Sequence, residues 1–212
     1  MKMDENKSYD IKIILLGEER VGKTSLINAF FDKEFKENLD RTVEGASFFK
    51  TIEIDNKKLN VSMWDTMGTE KFRSTSKGLI HDSNIIIFVY DITRRETFLE
   101  LNFWLNSTNE EIGKNEVIFG VAANKIDLFT ECEVETTEAE EYAEKKINGL
   151  FCETSAKANP LGFKNFIKLL LERLISNKKI LEQLEKTSKE KRENRISLHP
   201  EETPSKKRSK CC

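Results

Sequence analysis

The sequence predicts an α/β fold in which a mostly parallel six-stranded sheet carries helices on both faces. Two observations predict it. Short apolar runs alternate with helical patterns along a chain of 212 residues, which is long enough for one such domain and a tail. The first apolar run, residues 11–16, leads into a glycine-bounded loop, residues 17–24, and then into a helical pattern. Strand, loop and helix in this order are typical of a phosphate-binding loop.

The strands are predicted from runs that are apolar throughout or that alternate between apolar and polar residues. In chain order these runs are residues 11–16, 47–54, 59–64, 85–90, 117–123 and 150–153. Residues 55–58 are rich in turn-forming side chains, so they predict a hairpin between the second and third strands.

The helices are predicted from apolar residues that recur three and four positions apart. They cover residues 25–31, residues 94–107 with Thr93 as the cap, a segment after the acidic run 131–144 that ends near Gly149, and residues 161–175, which end the core. Residues 33–45 and 66–83 lack periodicity and predict two long loops, which in compact domains tend to be functional.

Composition limits the function classes. The 35 Lys and Arg residues nearly balance the 37 Asp and Glu residues, so the net charge of −2 offers no overall positive field for nucleic acid. No apolar run approaches the roughly 20 residues of a membrane span. The first five residues predict neither a signal peptide nor a myristoylation site. We therefore expect a cytosolic protein whose membrane contacts, if any, are made from that side.

Domain organisation follows from the same patterns. We expect a flexible N-terminus over residues 1–10, one globular domain over residues 11–176, and a helix end followed by a charged, disordered tail over residues 177–212. Cys132 and Cys152 are isolated, while Cys211 and Cys212 end the chain, so the four cysteines form no disulfide framework.

Residues 17–24 match the G-x-x-x-x-G-K-[ST] pattern of P-loop NTPases. In such a loop the backbone N–H groups and the helix N-terminus point at phosphate oxygens, the lysine adds a charge, and the threonine hydroxyl can ligate Mg²⁺. The residues expected at the nucleotide phosphates are Glu19, Arg20, Val21, Gly22, Lys23, Thr24 and Ser25.

A second motif, Asn124-Lys125-Ile126-Asp127, follows a predicted strand at the sheet edge where parallel sheets bind ligands. The Asp127 carboxylate can accept hydrogen bonds from both N1–H and the exocyclic amine of guanine, and adenine cannot supply that pair. Asn124 is expected to tie neighbouring loops together, and the stem of Lys125 is expected to lie along the base.

Two further segments complete the predicted site. Ser155-Ala156-Lys157 follows the last strand, and its short side chains let the N–H of Ala156 approach the guanine oxygen. Asp65 stands at the end of the third predicted strand, where a carboxylate can hold the shell of Mg²⁺, and Gly68 allows the backbone to approach a terminal phosphate.

These motifs, in this order and spacing, resemble those of the Rab subfamily of Ras-like small GTPases over about residues 11–175 and at the extreme C-terminus. Further markers of the resemblance are residues 59–66, 70–74 and 90–93 and the terminal cysteine pair. The resemblance implies a Ras-like G domain that binds GTP or GDP with Mg²⁺. It also implies a GTPase that serves as a molecular switch in vesicle-mediated membrane traffic.

Several site residues come from the resemblance. It implies Lys23 on the β- and γ-phosphates, Thr42 reporting the γ-phosphate and closing the metal shell, and Phe35 packing against the base. The implied catalytic residues are Lys23, Thr42, Gly68 and Thr69, and the implied metal-site residues are Thr24, Thr42 and Asp65, the last acting through a bound water. The two long loops then become switches that GTP orders and hydrolysis releases.

The chain departs from the family pattern beside the γ-phosphate. Thr69 stands where the family has a glutamine that orients the attacking water, and Met67 replaces a small residue. Glu19 replaces glycine or a small residue, and a carboxylate about 5 Å from a phosphate costs up to about 3 kcal/mol at an effective dielectric of about 20. Turning outward or pairing with Arg20 would lower that cost. We expect slow intrinsic hydrolysis.

The predicted effector surface also differs from the family pattern. The spacing from Thr42 to Phe48 is one residue longer than usual. Leu79 occupies a position where Rab proteins carry a tyrosine that joins Trp64 and a phenylalanine in a triad, and either Phe48 or Phe49 can be that phenylalanine. Partner identity is therefore not transferred from the family.

The C-terminus resembles a doubly geranylgeranylated Rab tail, because the basic residues 205–210 precede Cys211 and Cys212. Lipidation at these cysteines would place the protein on the cytoplasmic face of an intracellular membrane, cycling with the cytosol. The expected partners are guanine nucleotide, an exchange factor, a GTPase-activating protein, a Rab escort protein or GDP-dissociation inhibitor, and effectors. We expect a monomer that binds no nucleic acid.

Two other functions stay open at the level of sequence. One is a scaffold that holds guanine nucleotide, scarcely hydrolyses it and recruits effectors to membranes. The other is a metabolic P-loop kinase or ATPase, which Asp127 disfavours because that carboxylate selects guanine.

Overall fold

A computed structural model of the protein describes residues 8–37, 46–66, 77–113 and 115–187. Its strands are β1 Ser8–Leu16, β2 Ala46–Ile54, β3 Lys57–Asp65, β4 Ile85–Asp91, β5 Ile118–Asn124 and β6 Leu150–Glu153. Its helices are α1 Lys23–Phe30, α2 Lys77–Ile80, α3 Arg95–Leu99, α4 Leu101–Ile112, α5 Thr136–Glu141, α6 Pro160–Ser176 and α7, residues 178–187. A 3-10 helix covers Ile126–Glu131, and a π-helical turn covers Tyr142–Lys146.

The six strands form one sheet in the order β2-β3-β1-β4-β5-β6. Only the pairing of β2 with β3 is antiparallel, and all other pairings are parallel. The prediction of a mostly parallel six-stranded sheet is confirmed. All seven residues of β4 are buried, as expected for a strand covered by helices on both faces.

Two apolar clusters cover the two faces of the sheet. One packs α1, α6 and α7 on the sheet, and its largest buried side chains include Phe163 and Phe166. The other packs α3, α4 and α5 on the opposite face around Trp104 and Phe88. Because helices cover both faces of the sheet, a ligand can reach it at the ends of the strands, where the connecting loops lie.

The hairpin between β2 and β3 is tighter than predicted. Its turn consists of Asp55 and Asn56, whose φ angles are 49° and 59°, and β3 begins at Lys57. Two consecutive residues in the left-handed region match the twist of paired strands, and Asp and Asn tolerate that conformation better than most side chains. The predicted four-residue link, residues 55–58, therefore loses its second half to β3.

The helix predicted over residues 94–107 is divided into α3 and α4 around Glu100, and Thr93 does not cap it. The backbone N–H and hydroxyl of Thr93 both donate to the Asp91 carboxylate, at 3.0 and 2.8 Å. The cap position belongs to Arg94, which makes no side-chain capping bond. The prediction of a Thr93 cap is wrong, because the helix begins one residue later than predicted, at Arg95, and its cap position falls to Arg94.

The core extends beyond Ile175, where the sequence predicts its end. Ile180 and Leu184 lie on α7 and are 1% and 7% exposed, because this helix returns against the cluster that contains α1 and α6. A hydrogen bond from Tyr9 in β1 to Glu185 joins the two ends of the described chain at 3.4 Å. The apolar positions of α7 lie among charged residues, and a segment of that composition is predicted to be a solvated tail.

Ile180→Ala is expected to lower the free energy of unfolding by about 2–3 kcal/mol, because it removes a buried side chain and leaves a cavity. Leu169→Ala is the control, since Leu169 on α6 is 53% exposed and its loss should change stability by less than about 0.5 kcal/mol. Denaturant unfolding at one fixed nucleotide concentration measures both. An Ile180 variant as stable as wild type would contradict the packing of α7 on the core.

Candidate nucleotide site

The candidate site lies at the carboxyl ends of β1, β4, β5 and β6, where the loops that follow these strands meet. The loop between β1 and α1, residues 17–22, carries the phosphate-binding pattern. The segments that follow β5 and β6 begin at Lys125 and Thr154 and carry the two predicted base-binding motifs. Parallel sheets bind ligands at this edge.

Both glycines of the loop are required by its geometry. Gly17 has a φ of 147°, and a Cβ there would lie 2.1 Å from the backbone oxygen of Val89 in β4. Gly22 has a φ of 96°, and a Cβ there would lie 2.3 Å from the side-chain nitrogen of Asn124. The loop therefore passes close against β4 and against the segment that follows β5.

Lys23 is buried beneath the loop. Its ammonium donates hydrogen bonds to the carbonyls of Gly17 and Glu18, both at 2.8 Å. Burial lowers the pKa of Lys23 to about 8, although the nearby carboxylates of Asp65, Glu18 and Glu19 favour its charged form. An anion inside the loop would favour the ammonium further, as a phosphate does.

Glu19 pairs with its neighbour Arg20, whose Nε lies 3.4 Å from the Glu19 carboxylate. This is one of the two arrangements that lower the cost of a carboxylate in the loop. The Arg20 side chain is 85% exposed, so water screens the pair and its contribution is small. The backbone of Arg20 has a φ of 63°, a left-handed conformation that is uncommon for residues other than glycine.

Thr24 and Asp65 supply the oxygen atoms expected of a magnesium site. The hydroxyl of Thr24, in the first turn of α1, donates to a carboxylate oxygen of Asp65 at 2.7 Å. Asp65 ends β3 and is 2% exposed. In the described parts of the chain no three His, Cys, Asp or Glu side chains gather as a metal cluster. The pair fits Mg²⁺, which usually takes one or two protein ligands together with phosphate oxygens and water.

Asn124 joins the phosphate side of the site to the base side. Its side-chain amide donates to the carbonyl of Val21 in the loop at 2.8 Å. Its side-chain oxygen accepts from the N–H of Ala156 at 3.3 Å. These are the ties between neighbouring loops that the sequence predicts, and they place the Ala156 N–H, expected at the guanine oxygen, against Asn124.

Asp127 and Ser155 meet on the base side, where the Ser155 hydroxyl donates to one carboxylate oxygen of Asp127. The same hydroxyl oxygen accepts from the N–H groups of Lys157 and Ala158, at 3.1 and 2.9 Å. A residue of one predicted base motif therefore orients the carboxylate of the other. The two segments lie 28 positions apart in the sequence.

The segment after α1 reaches the same side. Lys157 forms an ion pair with Glu37 at 2.8 Å, and Phe35, two residues before Glu37, is 41% exposed. Phe35, the aromatic residue that the resemblance implies for the base, thus belongs to a segment that contacts the base-side loop.

On the phosphate side, Ser25 follows Thr24 in the first turn of α1.

Two residues of the site were missed by the sequence analysis, Asp91 and Arg94. Asp91 ends β4 and is 1% exposed, and its carboxylate lies 2.6 Å from the ammonium of Lys125 and 3.2 Å from Nε of Arg94. Burial raises the pKa of Asp91, but the bonds from Lys125 and Thr93 outweigh it and hold that pKa below its usual value. For Asp91 the available signal was the segment 90–93, which served only as a marker of the family resemblance, and Arg94 lies just outside that segment.

The ammonium of Lys125 therefore lies against Asp91, and the expected position of its stem along the base stays a prediction. Its backbone has a φ of 69°, which turns the chain sharply at the end of β5. Arg94 reaches further, and its Nη2 donates to the carbonyl of Glu19 at 2.9 Å.

The strand register decides which phenylalanine shares a face with Trp64. Ser47 pairs with Trp64 and Phe49 pairs with Ser62, so Phe49 lies on the Trp64 face and is 73% exposed. Phe48 points to the other face and contacts Phe31, with ring centroids 5.6 Å apart. Of the two candidates for the triad position, Phe49 is the one that the register places on that face.

Several predicted residues lie outside the described residues. They are Thr42, Met67, Gly68, Thr69, Cys211 and Cys212. Their roles stay predictions. In the described parts of the chain no helix is long and apolar enough to cross a membrane.

A glycine-bounded phosphate loop that one asparagine ties to a base-side loop, which in turn orients a carboxylate, defines a P-loop protein of the guanine-nucleotide-binding class. Comparison with known proteins agrees. A family profile described as the Ras family matches residues 12–176. The chain is similar to Ras-related protein Rab-21 of Canis lupus familiaris and of Homo sapiens, with 34% identity over 177 residues in each case. The match covers 84% of this chain and 78% and 77% of those proteins.

The chain belongs to the Ras family. It is a Rab-like small GTPase that hydrolyses GTP to GDP and works in membrane traffic, which confirms the resemblance, the fold class and the activity predicted from the sequence. Proteins of this family bind GTP and GDP, act through regulators and effectors, and associate with membranes in a cycle. A metabolic kinase or ATPase is thereby excluded.

Proposed function

We propose that this GTPase binds guanine nucleotide with its phosphates in the loop at residues 19–25 and its base between Asp127 and Ala156. The observation that carries the proposal is the pair of hydrogen bonds made by the Asn124 side chain, one to the carbonyl of Val21 and one from the N–H of Ala156. One buried side chain thus sets the distance between the phosphate loop and the base-side loop. A ligand with a base at one end and phosphates at the other suits that spacing.

Each residue then has a physical role in hydrolysis. Lys23 places a buried positive charge beneath the phosphates, and the loop amides stabilise charge that develops on their oxygens. Thr24 and Asp65 would hold Mg²⁺, joined by Thr42 as the family resemblance implies; the ion neutralises charge on the phosphates. Thr42, Gly68 and Thr69 would surround the attacking water and the γ-phosphate. Phe35, Lys125, Ser155 and Lys157 complete the base side.

The direct test of nucleotide identity uses the purified protein. The bound nucleotide is released by denaturation, identified, and compared before and after incubation with Mg²⁺. GTP that converts to GDP supports the proposal. Bound ATP, or displacement of GDP by ATP in competition, would contradict it.

Hydrolysis is expected to be slow, and the double variant Glu19→Ser/Thr69→Gln is expected to be about tenfold faster. The change removes a carboxylate beside the phosphates and restores a group that can orient water. Single-turnover hydrolysis of preloaded GTP measures the rate, and the two single variants separate the contributions. A double variant that hydrolyses GTP no faster than wild type would show that Glu19 and Thr69 do not slow the reaction.

A second candidate function is favoured by Glu19, whose carboxylate belongs to the phosphate loop. In this case the protein holds GTP for long periods and recruits effectors as a scaffold. The same single-turnover experiment, repeated with a GTPase-activating protein, distinguishes the two functions. Acceleration to a rate typical of switches would exclude the scaffold.

We further propose reversible anchoring through lipid chains on Cys211 and Cys212. The basic residues 205–210 before them support the proposal, because a lipid chain together with a polybasic segment gives stable attachment to an anionic leaflet. Anchoring of this kind implies a Rab escort protein for lipidation and a GDP-dissociation inhibitor for extraction. An exchange factor and effectors complete the proposed set of partners on the cytoplasmic face of an intracellular membrane.

A further inference from the structure

The residue that carries a further inference is Arg94, at the start of α3. Its guanidinium spans two parts of the chain, because Nε donates to the Asp91 carboxylate at 3.2 Å and Nη2 donates to the carbonyl of Glu19 at 2.9 Å. The second contact crosses 75 positions of sequence. It joins the end of β4 directly to the phosphate loop.

Arg94 is braced at its inner end. Asp91 is 1% exposed and is itself held by Lys125 at 2.6 Å and by the hydroxyl of Thr93 at 2.8 Å. The backbone of Arg94 is also fixed, because its N–H donates to the Asp91 carbonyl and its own carbonyl accepts from the hydroxyl of Thr97. Because the guanidinium is planar, fixing Nε against Asp91 in this way also fixes the direction of Nη2, which points to the Glu19 carbonyl.

The contact matters because of the geometry of the peptide bond. In a trans peptide the C=O and the following N–H point in opposite directions. A donor that binds the Glu19 carbonyl from outside the loop therefore turns the N–H of Arg20 toward the loop interior. Asn124 acts in the same way on the carbonyl of Val21.

The peptide between Glu19 and Arg20 is the one in the loop that most needs such support. Arg20 holds a φ of 63° without being glycine, and a left-handed conformation costs an ordinary residue about 1–2 kcal/mol. The neighbouring Glu19 carboxylate also repels an approaching phosphate. An external cationic donor opposes both effects, because it fixes the peptide and adds a positive charge on that side of the loop.

We propose that Arg94 is a positioning residue that holds the Arg20 amide toward the nucleotide phosphates. Backbone amides of such loops cradle the β- and γ-phosphates. Removing the support therefore weakens the grip on the phosphates beyond the first and leaves the grip on the base and first phosphate unchanged. The inference rests on the proposed nucleotide site.

The test compares affinities for GDP and GMP, which share the base and differ in the β-phosphate. Arg94→Ala is expected to weaken GDP binding about tenfold, as for the loss of one hydrogen bond to a charged donor, and to change GMP binding by less than about twofold. Arg94→Lys retains the charge but replaces the two separate nitrogens that bind Asp91 and Glu19 with a single one. Its GDP affinity should therefore fall between that of wild type and that of Arg94→Ala. Competition against a fluorescent GDP analogue measures both nucleotides.

Arg95→Ala is the matched control. Arg95 is the next residue of the same helix start, but its guanidinium binds the Glu138 carboxylate of α5 at 2.8 Å instead of the phosphate loop. Its replacement should leave both affinities at the wild-type value. If Arg94→Ala does not fold, the comparison of Arg94→Lys with wild type carries the test.

Two results would overturn the proposal. GDP and GMP affinities that fall by the same factor would show a general loosening of the site, and an unchanged GDP affinity would show that the contact does not orient the loop. A wild-type protein that binds GDP no better than GMP would instead refute the proposed phosphate site, and the inference with it. The wild-type measurement therefore separates the two failures.

Discussion

Asp127→Asn is expected to reduce the affinity for GDP and GTP by about 100-fold to 10,000-fold and to create a preference for xanthine nucleotides. The carboxylate accepts from two N–H donors on guanine, and each hydrogen bond to a charged group is worth about 1.5–3 kcal/mol. The asparagine amide presents a donor where guanine presents its amine. Xanthine carries an oxygen there, so it regains the contact.

The structure explains why Asp127 is suited to this selection. The hydroxyl of Ser155 occupies one side of its carboxylate and fixes its orientation. A carboxylate held in place loses little rotational freedom on binding, so more of each hydrogen bond appears as affinity. The same bond restricts how far an asparagine could turn to rescue guanine binding.

Competition between GTP and xanthosine triphosphate measures the change. Asp82→Asn is the control, because the Asp82 side chain is 80% exposed and contacts His81 away from the site. It should keep the wild-type preference. If Asp127→Asn also prefers GTP as strongly as wild type does, another residue selects the base.

Gly17→Ala is expected to destabilise the folded protein by about 4 kcal/mol or more. Two effects add: a φ of 147° strains any residue with a Cβ, and that Cβ would lie 2.1 Å from the backbone oxygen of Val89. The oxygen belongs to the fully buried β4, so it cannot move aside without breaking strand pairing. A loss of this size approaches the whole stability of many domains.

Gly78→Ala provides the contrast. Nothing lies within 4 Å of the position a Cβ would take there, and Gly78 is part of α2. Alanine favours a helix over glycine, so stability should stay unchanged or rise by about 0.5–1 kcal/mol. Thermal unfolding of both variants at saturating GDP gives the comparison. A Gly17→Ala variant that unfolds at the same temperature as wild type would mean that the loop does not pass against β4 as described.

Much of the fold was predictable because its signals are local. β4 and β6 were located almost to the residue, since apolar runs of that length between polar segments suit buried strands. The phosphate loop and the base-side motifs were predictable for a similar reason. Their chemistry depends on residue types at short fixed spacings, and the strands that precede them deliver them to one edge of the sheet.

Other features could not be predicted, because they depend on where distant segments meet. The Arg94 guanidinium finds its acceptor 75 positions away, and no local pattern marks such a pair. Whether Phe48 or Phe49 lies beside Trp64 depends on the strand register, which a two-residue turn sets and a longer link would have shifted. Ile180 becomes part of the core only because α7 turns back along α1 and α6.

The sequence by itself determined the class of ligand and the edge of the sheet that receives it. Glycines, one lysine and one aspartate at set spacings have few other uses in that order. The tertiary structure decided how the phosphate loop is held, through donors from Arg94 and Asn124 on two of its carbonyls and from Lys23 beneath it. Peptide planarity is the physical reason that this matters, since every carbonyl held outward turns an amide inward, and only the folded chain shows which donor reaches which carbonyl.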